Sequence, residues 1–478
     1  MPALRRPPQP ETVTLPPRQA MVGADTDVLV VGGGPAGIGA ALGAARAGAR
    51  TVLVERYGFL GGNATAALVM PLMSFHTQHR HAEPPGDATL LPTDHGRGDP
   101  VLAGAVSEFL QLLIAAGGAV PPSLHTGYTV PFDPEMLKLI ALEMLDRAGV
   151  EFLLHAFASD VVVEHGVVRG VAFASKSGPV LVRAKAVVDC TGDGDVAAWG
   201  GAPFELGRGE DGLVQPMTLM FRMVEFERAA FAAYAREHPD QWRGVHGLWD
   251  LVKRATEAGE LNLPREDILF FATPHPREVS VNSTRVIEED APLFGTDVWD
   301  LTYAEWQSHR QMRQIAAFLR RYVPGFTHSY VAQSGVQVGV RETRRIVGEY
   351  QLDRDDVLQA RKFPDAIARC TYPIDIHNPR GAGTTLQRLP PGEFYEIPLR
   401  CLFPQRIEGL LVAGRCLSGT TEAFSSYRVM PVAMATGQGA GVCAALAARD
   451  GTRLRDTPAS AVQRELVRQG ALLDLGGA

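Results

Sequence analysis

Short, wholly apolar runs alternate along this chain with glycine-rich turns and with longer segments of helical period. Asp27-Val28-Leu29-Val30-Val31 is apolar after its first residue and does not alternate, the pattern of a strand buried on both faces of a parallel sheet. It runs into Gly32-Gly33-Gly34-Pro35-Ala36-Gly37 and an Ala-rich helix of about three turns, then into a second strand, Arg50–Val54. Helical patterns follow at Val101–Ala116 and at Asp133–Ala148, where Asp133 suits an N-cap and Pro134 the first helical position. Short alternating segments at Phe152–Ala156, Asp160–Glu164, Val167–Ala174 and Val180–Arg183 are punctuated by Gly166 and Gly178, and Ala186–Cys190 reads as another buried strand. From Phe204 to about Pro398 nucleotide motifs are missing. Met217–Val224 and Val279–Val286 read there as strands, and Thr302–Tyr322 as a long amphipathic helix stopped by Val323-Pro324-Gly325. Leu410–Gly414 is a strand again, and Val429-Met430-Pro431 opens a helix to about Ala448. The pattern predicts an α/β protein with a second domain inserted within the first.

The glycines carry the first chemistry. In a strand–GxGxxG–helix unit Gly32 permits the tight turn, Gly34 lets the backbone approach a pyrophosphate, and Gly37 lets the helix lie close to the strand. The helix N-terminus, beginning at Pro35 and Ala36, offers N–H groups to phosphate. Glu55 closes the second strand, where a carboxylate can bind both ribose hydroxyls. Past it, Arg56-Tyr57-Gly58-Phe59-Leu60-Gly61-Gly62-Asn63-Ala64-Thr65 adds a second glycine pair, Gly61 and Gly62, suiting a cofactor longer than a nicotinamide dinucleotide.

With these residues in view, and with Asn282–Val286, Val340–Tyr350, Tyr372–His377 and Leu411–Cys416, the chain resembles the glutathione-reductase-like FAD flavoproteins. More narrowly it resembles the FAD-dependent oxidoreductase family related to the fumarate reductase flavoprotein. The resemblance implies FAD as cofactor and a Rossmann-like FAD-binding domain, a parallel sheet with an inserted β-meander, carrying an α+β substrate domain inserted within it. It implies that Arg56, Asn63, Ala64 and Thr65 contact the cofactor, that Ala158 grips adenine through the backbone, and that the loop at Gly192 and Asp193 returns over the pyrophosphate. Gly414 and Arg415 would pass the ribityl group, and the helix opened by Val429 and Met430 would aim its N-terminus at the flavin. The division expected is a disordered tail over 1–24, an FAD-binding domain in 25–75, 130–203 and 399–478, a lid and helical insertion over 76–129, and a substrate domain over 204–398.

Composition narrows the class. Lys+Arg 46 against Asp+Glu 53 gives a net charge of −7, and no basic run extends over surface-like segments, so nucleic acid is not an expected partner. Five scattered cysteines (Cys190, Cys370, Cys401, Cys416, Cys443) form no C-x-x-C and point to a reducing cytoplasm. Pro2, Pro7, Pro8, Pro10, Pro16 and Pro17 break any helix in the tail, and no apolar h-region is present. No run approaches about 18 apolar residues, so no membrane span is expected. His76, His79, His81 and Glu83 lack the spacing of a metal site and read as a long surface loop. A homo-oligomer stays open.

Missing parts remove several flavin chemistries. The place of a redox cysteine pair reads Asn63-Ala64-Thr65-Ala66-Ala67, and Phe59-Leu60 stand where a flavin-linking histidine would precede the glycine pair. What remains is hydride transfer with a small organic substrate at CH–OH, CH–NH or CH–CH. An electron-passing flavoprotein subunit and a tRNA-modifying relative are the alternatives. Three residues are catalytic candidates. Arg341, in Arg341-Glu342-x-Arg344-Arg345, either clamps a carboxylate or oxyanion or pairs structurally. His377, with Asp375 two residues back on the same strand face, either takes the substrate proton or is merely hydrogen-bonded. Glu422, Tyr427 and Arg428 lie before the last helix, and of these Arg428 is the candidate for the reacting centre.

Overall fold

The computed structural model describes residues 10–78, 90–91, 98–123, 126–288, 291–381 and 383–474, so His79, His81 and Glu83 lie outside the described residues, as do the tail's Pro2, Pro7 and Pro8. A mixed sheet organises the first half: β1 (Met21–Val31), β2 (Thr51–Val54), β3 (Glu151–Leu153), β4 (Phe157–Glu164), β5 (Val167–Ser175) and β6 (Gly178–Asp189), in the order β3-β2-β1-β6-β5-β4. β3, β2, β1 and β6 run parallel, the Rossmann-like part, and β4 to β6 form the antiparallel meander. The strand Leu410–Val412 returns late in the chain to pair in parallel with the end of β6, at Val187–Asp189.

Two elements are longer than the pattern predicts. The expected strands Val180–Arg183 and Ala186–Cys190 are one, because no turn residue separates Arg183 from Ala186 and the backbone stays paired with β1 throughout. The parallel sheet and the meander are therefore welded through a single twelve-residue strand. The tail is shorter than expected: β1 begins at Met21, whose backbone pairs with Val180 although its side chain is 61% exposed. Exposure on both faces erases the alternation by which a strand is recognised.

Helix α1 (Pro35–Arg46) lies on the sheet against the closing helix Met430–Asp450. The contact is backbone to backbone. A Cβ on Gly39 would sit 2.0 Å from the Met434 carbonyl oxygen, and one on Gly437 would sit 1.9 Å from that of Ala36. By length and composition the closing helix could cross a membrane, contrary to the expectation that no segment could, but 94% of its apolar window is buried inside the protein. Here it is a core helix. Helices α2 (Ala105–Ala115) and α3 (Pro134–Arg147) cover the same core, α3 starting at Asp133, whose carboxylate accepts the Glu135 N–H at 2.9 Å. The 76–129 segment thus adds Val106, Phe109 and Leu113 to the main core.

The inserted region has its own core. The strands Phe221–Val224, Ile268–Ala272, Glu278–Val281 and Tyr330–Ser334 form an antiparallel sheet, with Phe226, Phe231, Trp242, Phe270 and Phe326 packed edge to face behind it. The long helix runs Val298–Tyr322, four residues earlier than the pattern shows, because Asp297 caps it by accepting the N–H groups of Trp299 and Asp300. Beyond Ile346 the chain leaves this core: Leu352, Ile367, Ile374 and Ile397 pack into the first one.

Candidate active site

The nucleotide loop is built from the glycines outward. Gly32 sits at φ +100°, and a Cβ on Gly37 would lie 1.8 Å from the Gly32 carbonyl oxygen, so the first glycine serves the turn and the third the packing. Gly34 is different. Its φ of −71° suits any residue, and a Cβ there would meet nothing nearer than the Gly62 Cα at 3.6 Å. Neither backbone nor packing demands a glycine, so the room it leaves fits a group outside the chain. The two glycine loops are tied directly, Gly61 N–H to the Gly33 carbonyl at 2.8 Å, and no side chain caps α1. Glu55, 6% exposed, accepts the Gly33 N–H at 2.6 Å and the Tyr57 N–H at 2.9 Å, and burial pushes its carboxyl upward. Each oxygen keeps a lone pair for a hydroxyl.

Two spaces are lined by residues of these loops. The first, about 50 Å³, is lined by Gly32, Glu55, Arg56, Ala158, Thr191 and Asp193, which sequence reasoning assigned to one end of the cofactor with the exception of Thr191. The loop beyond β6 is shaped by Asp189, fully buried, which accepts the N–H and hydroxyl of Thr191 and the Ala197 N–H. Asp193 and Asp195 pair with Arg415 at 2.7 Å and Arg344 at 2.8 Å. Burial, with Asp193 and Asp189 beside it, pushes Asp195 up to about 6. Arg415 also donates to the Val340 carbonyl at 2.5 Å, and a Cβ on Gly192 would meet its guanidinium at 2.8 Å.

The second space, about 300 Å³, joins the two parts of the molecule. Asn63, Met70, Arg428, Val429 and Met430 line it from the segments expected to bind the cofactor, with Arg341 and His377 from the 204–398 region. Arg341 donates to the Pro216 carbonyl at 2.8 Å and to the Thr218 hydroxyl. Burial, and after it Arg428 and Arg285, lowers it to about 9, still charged at neutral pH. Arg428 donates to the Asp375 carbonyl at 3.0 Å, while its Nη1 is buried without a partner. His377 Nδ1 lies 3.2 Å from Arg285 Nη2, which can only donate, so Nδ1 accepts and Nε2 carries the hydrogen, 3.6 Å from Asp375. Burial and then the Arg341 guanidinium push the imidazole down to about 3. Burial works to raise Asp375, but His377 and Arg428 outweigh it and hold the carboxyl well below its ordinary value.

Not every expected residue faces these spaces. Pro35, Gly61 and Ala64 line a small apolar void beneath the loops, and Thr65 donates to the Leu60 carbonyl at 2.7 Å. Ala36 packs against Gly414, itself at φ +77°. Tyr427 is fully buried with its hydroxyl on the Leu417 carbonyl, and neither it nor Glu422 lines the cavity. Arg345 pairs with Glu342 at 2.8 Å, the structural role open to it, whereas Glu349 pairs with Arg455 and not with this run. Sequence reasoning singled out neither Arg285 nor Asn282, the latter in the cavity wall with Oδ1 buried and unpartnered. Both sit in the Asn282–Val286 stretch already noted for its resemblance, which was the available signal.

Residues 27–466 match the family model described as FAD dependent oxidoreductase. The chain belongs to that family. It is similar to the thiamine thiazole synthase of Aeropyrum pernix, 31% identical over 186 residues, which are 35% of this chain and 68% of that protein. Among solved structures it is similar to a geranylgeranyl bacteriochlorophyll reductase-like protein of Thermoplasma acidophilum (14% identity, TM-score 0.43, 94% of this chain and 85% of that one). It is also similar to the p-nitrophenol 4-monooxygenase of Pseudomonas putida (13%, TM-score 0.41, 93% and 83%). At such identities and TM-scores neither structure bears on the reaction.

Proposed function

We propose that this family member moves a hydride between a small organic substrate, at a CH–OH, CH–NH or CH–CH bond, and non-covalently bound FAD. The observation that carries the reading is the 300 Å³ cavity, whose lining joins residues after the second glycine pair and the start of the closing helix with Arg341, His377 and Arg428. Bound FAD would supply the two-electron chemistry. Gly32, Gly34, Glu55, Arg56, Ala158 and Asp193 would hold its adenosine and pyrophosphate, with Gly62, Asn63, Gly192, Gly414 and Arg415 along the chain between. Val429 and Met430 present a helix N-terminus to the cavity, which favours an anion there. Arg341 and Arg428 place positive charge on the substrate side. His377 acts as a fixed hydrogen-bond donor, since its lone pair already faces the Arg285 guanidinium.

Val69, Met70, Met73, Met220 and Phe271 give the wall an apolar part, and among the described residues no cysteine lines it, which supports small-molecule over dithiol chemistry. The synthase activity named for the Aeropyrum pernix relative is not adopted, because the likeness reaches 35% of this chain. The test is anaerobic mixing of the purified protein with small alcohols, amines and hydroxy acids. Bleaching of the flavin without a partner protein is the expected result. A flavin that only a partner protein can reduce would make the chain an electron-passing subunit.

A further inference from the structure

We infer that the cavity takes a small carboxylate bearing a hydroxyl or amino group on the adjacent carbon. The inference deepens the reading above and rests on the cavity being the substrate site. Three guanidiniums, those of Arg285, Arg341 and Arg428, stand around one carboxylate, Asp375, and a neutral imidazole, which leaves two positive charges unbalanced. The neighbouring cations are already matched, Arg415 by Asp193, Arg345 by Glu342 and Arg265 by Asp267. An uncompensated charge pair in a buried wall is costly, and an anionic occupant removes the cost.

Among the described residues of the lining, two buried atoms without a partner specify that occupant further. Arg428, with a side chain 10% exposed, keeps Nη1 buried and without a partner, a charged donor awaiting an acceptor. Asn282, on the same cavity, keeps Oδ1 buried and without a partner, an acceptor awaiting an O–H or N–H. A carboxylate with an adjacent hydroxyl or amine supplies one of each. A phosphate ester fits less well, since its terminal oxygens only accept and it brings no O–H or N–H for Asn282 Oδ1. The apolar remainder of the wall, from Val69, Met73, Met220 and Phe271, suits a short hydrocarbon chain.

Calorimetric titration of the protein as purified, with acid-released flavin measured in parallel, tests this. The probes are 2-hydroxybutanoate, 2-aminobutanoate, butanoate, 1,2-butanediol and inorganic phosphate. One of the two substituted acids should bind best. Butanoate should bind about tenfold more weakly, the usual scale for leaving one buried acceptor unpaired, and the diol and phosphate should not bind measurably. Asn282→Ala should abolish the preference over butanoate while butanoate still binds, and Arg428→Gln should lower carboxylate affinity by about 100-fold or more. Should Arg428→Gln fail to fold, the wild-type probe series and Asn282→Ala still decide. Equal binding of the diol, or tighter binding of phosphate, overturns the inference. Protein that holds FAD but binds no carboxylate sinks this inference alone, whereas protein that binds the substituted acid without FAD sinks the oxidoreductase reading and leaves the subsite standing.

Discussion

At the scale of single residues, three glycines of one motif are held for three different reasons, and the reasons predict different losses. A methyl group on Gly37 would collide with backbone, whereas on Gly34 it would make only ordinary contact with Gly62, at 3.6 Å from its Cα. Gly34→Ala should therefore fold with an unchanged melting temperature for the flavin-free protein but retain little FAD on purification. Gly37→Ala should be lost to misfolding, so soluble yield and flavin content separate the two. For His377 the sequence left two roles open, proton acceptor or merely hydrogen-bonded, and the geometry favours the second. With Nδ1 facing Arg285 and its value near 3, the imidazole stays neutral across the working range. His377→Gln should slow flavin reduction by less than about tenfold, where loss of a true general base costs roughly 10²-fold or more. A loss on that larger scale, with a pH limb near 6.5 that disappears in the variant, would restore the base. Stability carries the matching sign. The folded pKa lies below the ordinary 6.5, so between about 6.5 and about 3 the unfolded chain binds the proton that the folded one refuses. His377 thus removes stability as pH falls through that window, and His377→Gln should lower the unfolding midpoint less between pH 7 and pH 5 than wild type does.

At the scale of elements, the strands and helices legible in the sequence were those whose burial is uniform over a contiguous stretch. β1, β2, α1, α3 and the closing helix fall where the apolar runs, caps and prolines place them. Elements stabilised by distant pairing were not so legible. Met21–Ala24 is a strand only because β6 lies beside it, and the break expected between Arg183 and Ala186 vanishes because β6 exchanges one partner, β5, for another, Leu410–Val412, along the same edge. The pairing of α1 with the closing helix also belongs to this scale. Gly39 and Gly43 on one helix and Gly437 and Gly441 on the other bring the backbones into contact, and this brings the two helix N-termini, at Pro35 and at Met430, to one side of the sheet. Gly437→Ala places a methyl group against the Ala36 carbonyl, which cannot yield without moving the helix. The expected cost is about 1–3 kcal/mol, the usual range for overpacking. Thermal unfolding of the flavin-free protein measures it, and an unchanged midpoint would show that the helices can separate slightly at no cost.

At the scale of the whole molecule, the candidate site is where segments remote in sequence converge, and this sets how much of it could be read in advance. Gly32, Gly34, Gly37, Glu55 and the Gly61-Gly62 pair lie in one short stretch, so their chemistry was visible as spacing, whereas Ala158, Gly192, Asp193, Gly414 and Val429 were reached only through the family resemblance. The cavity wall draws on residues 63–73, 218–220, 271–282, 339–341, 372–377 and 415–430, and no local pattern records that Arg285 will stand behind His377 or that Thr218 will hold Arg341. The same convergence makes the cofactor a mechanical link. Arg415 joins Asp193 to Val340, Asn63 donates to the Val340 carbonyl at 3.2 Å, and Arg344 reaches Asp193 and Asp195, so the loops around the proposed flavin path are already tied to the 339–344 segment. A ligand seated among them binds the folded arrangement and not the unfolded chain, and its stabilisation grows with concentration as RT ln(1 + [L]/Kd), about 2.7 kcal/mol at 100 times Kd. Adding FAD to the flavin-free protein should therefore raise the unfolding midpoint progressively. Acid precipitation of the loaded protein should release the flavin into the supernatant as FAD, since no histidine precedes the second glycine pair and all five cysteines are buried. Flavin that stays in the pellet, or FMN or NAD in the supernatant, would overturn the cofactor assignment. A midpoint that FAD leaves unchanged, in protein shown to contain it, would mean that the two cores hold together without it.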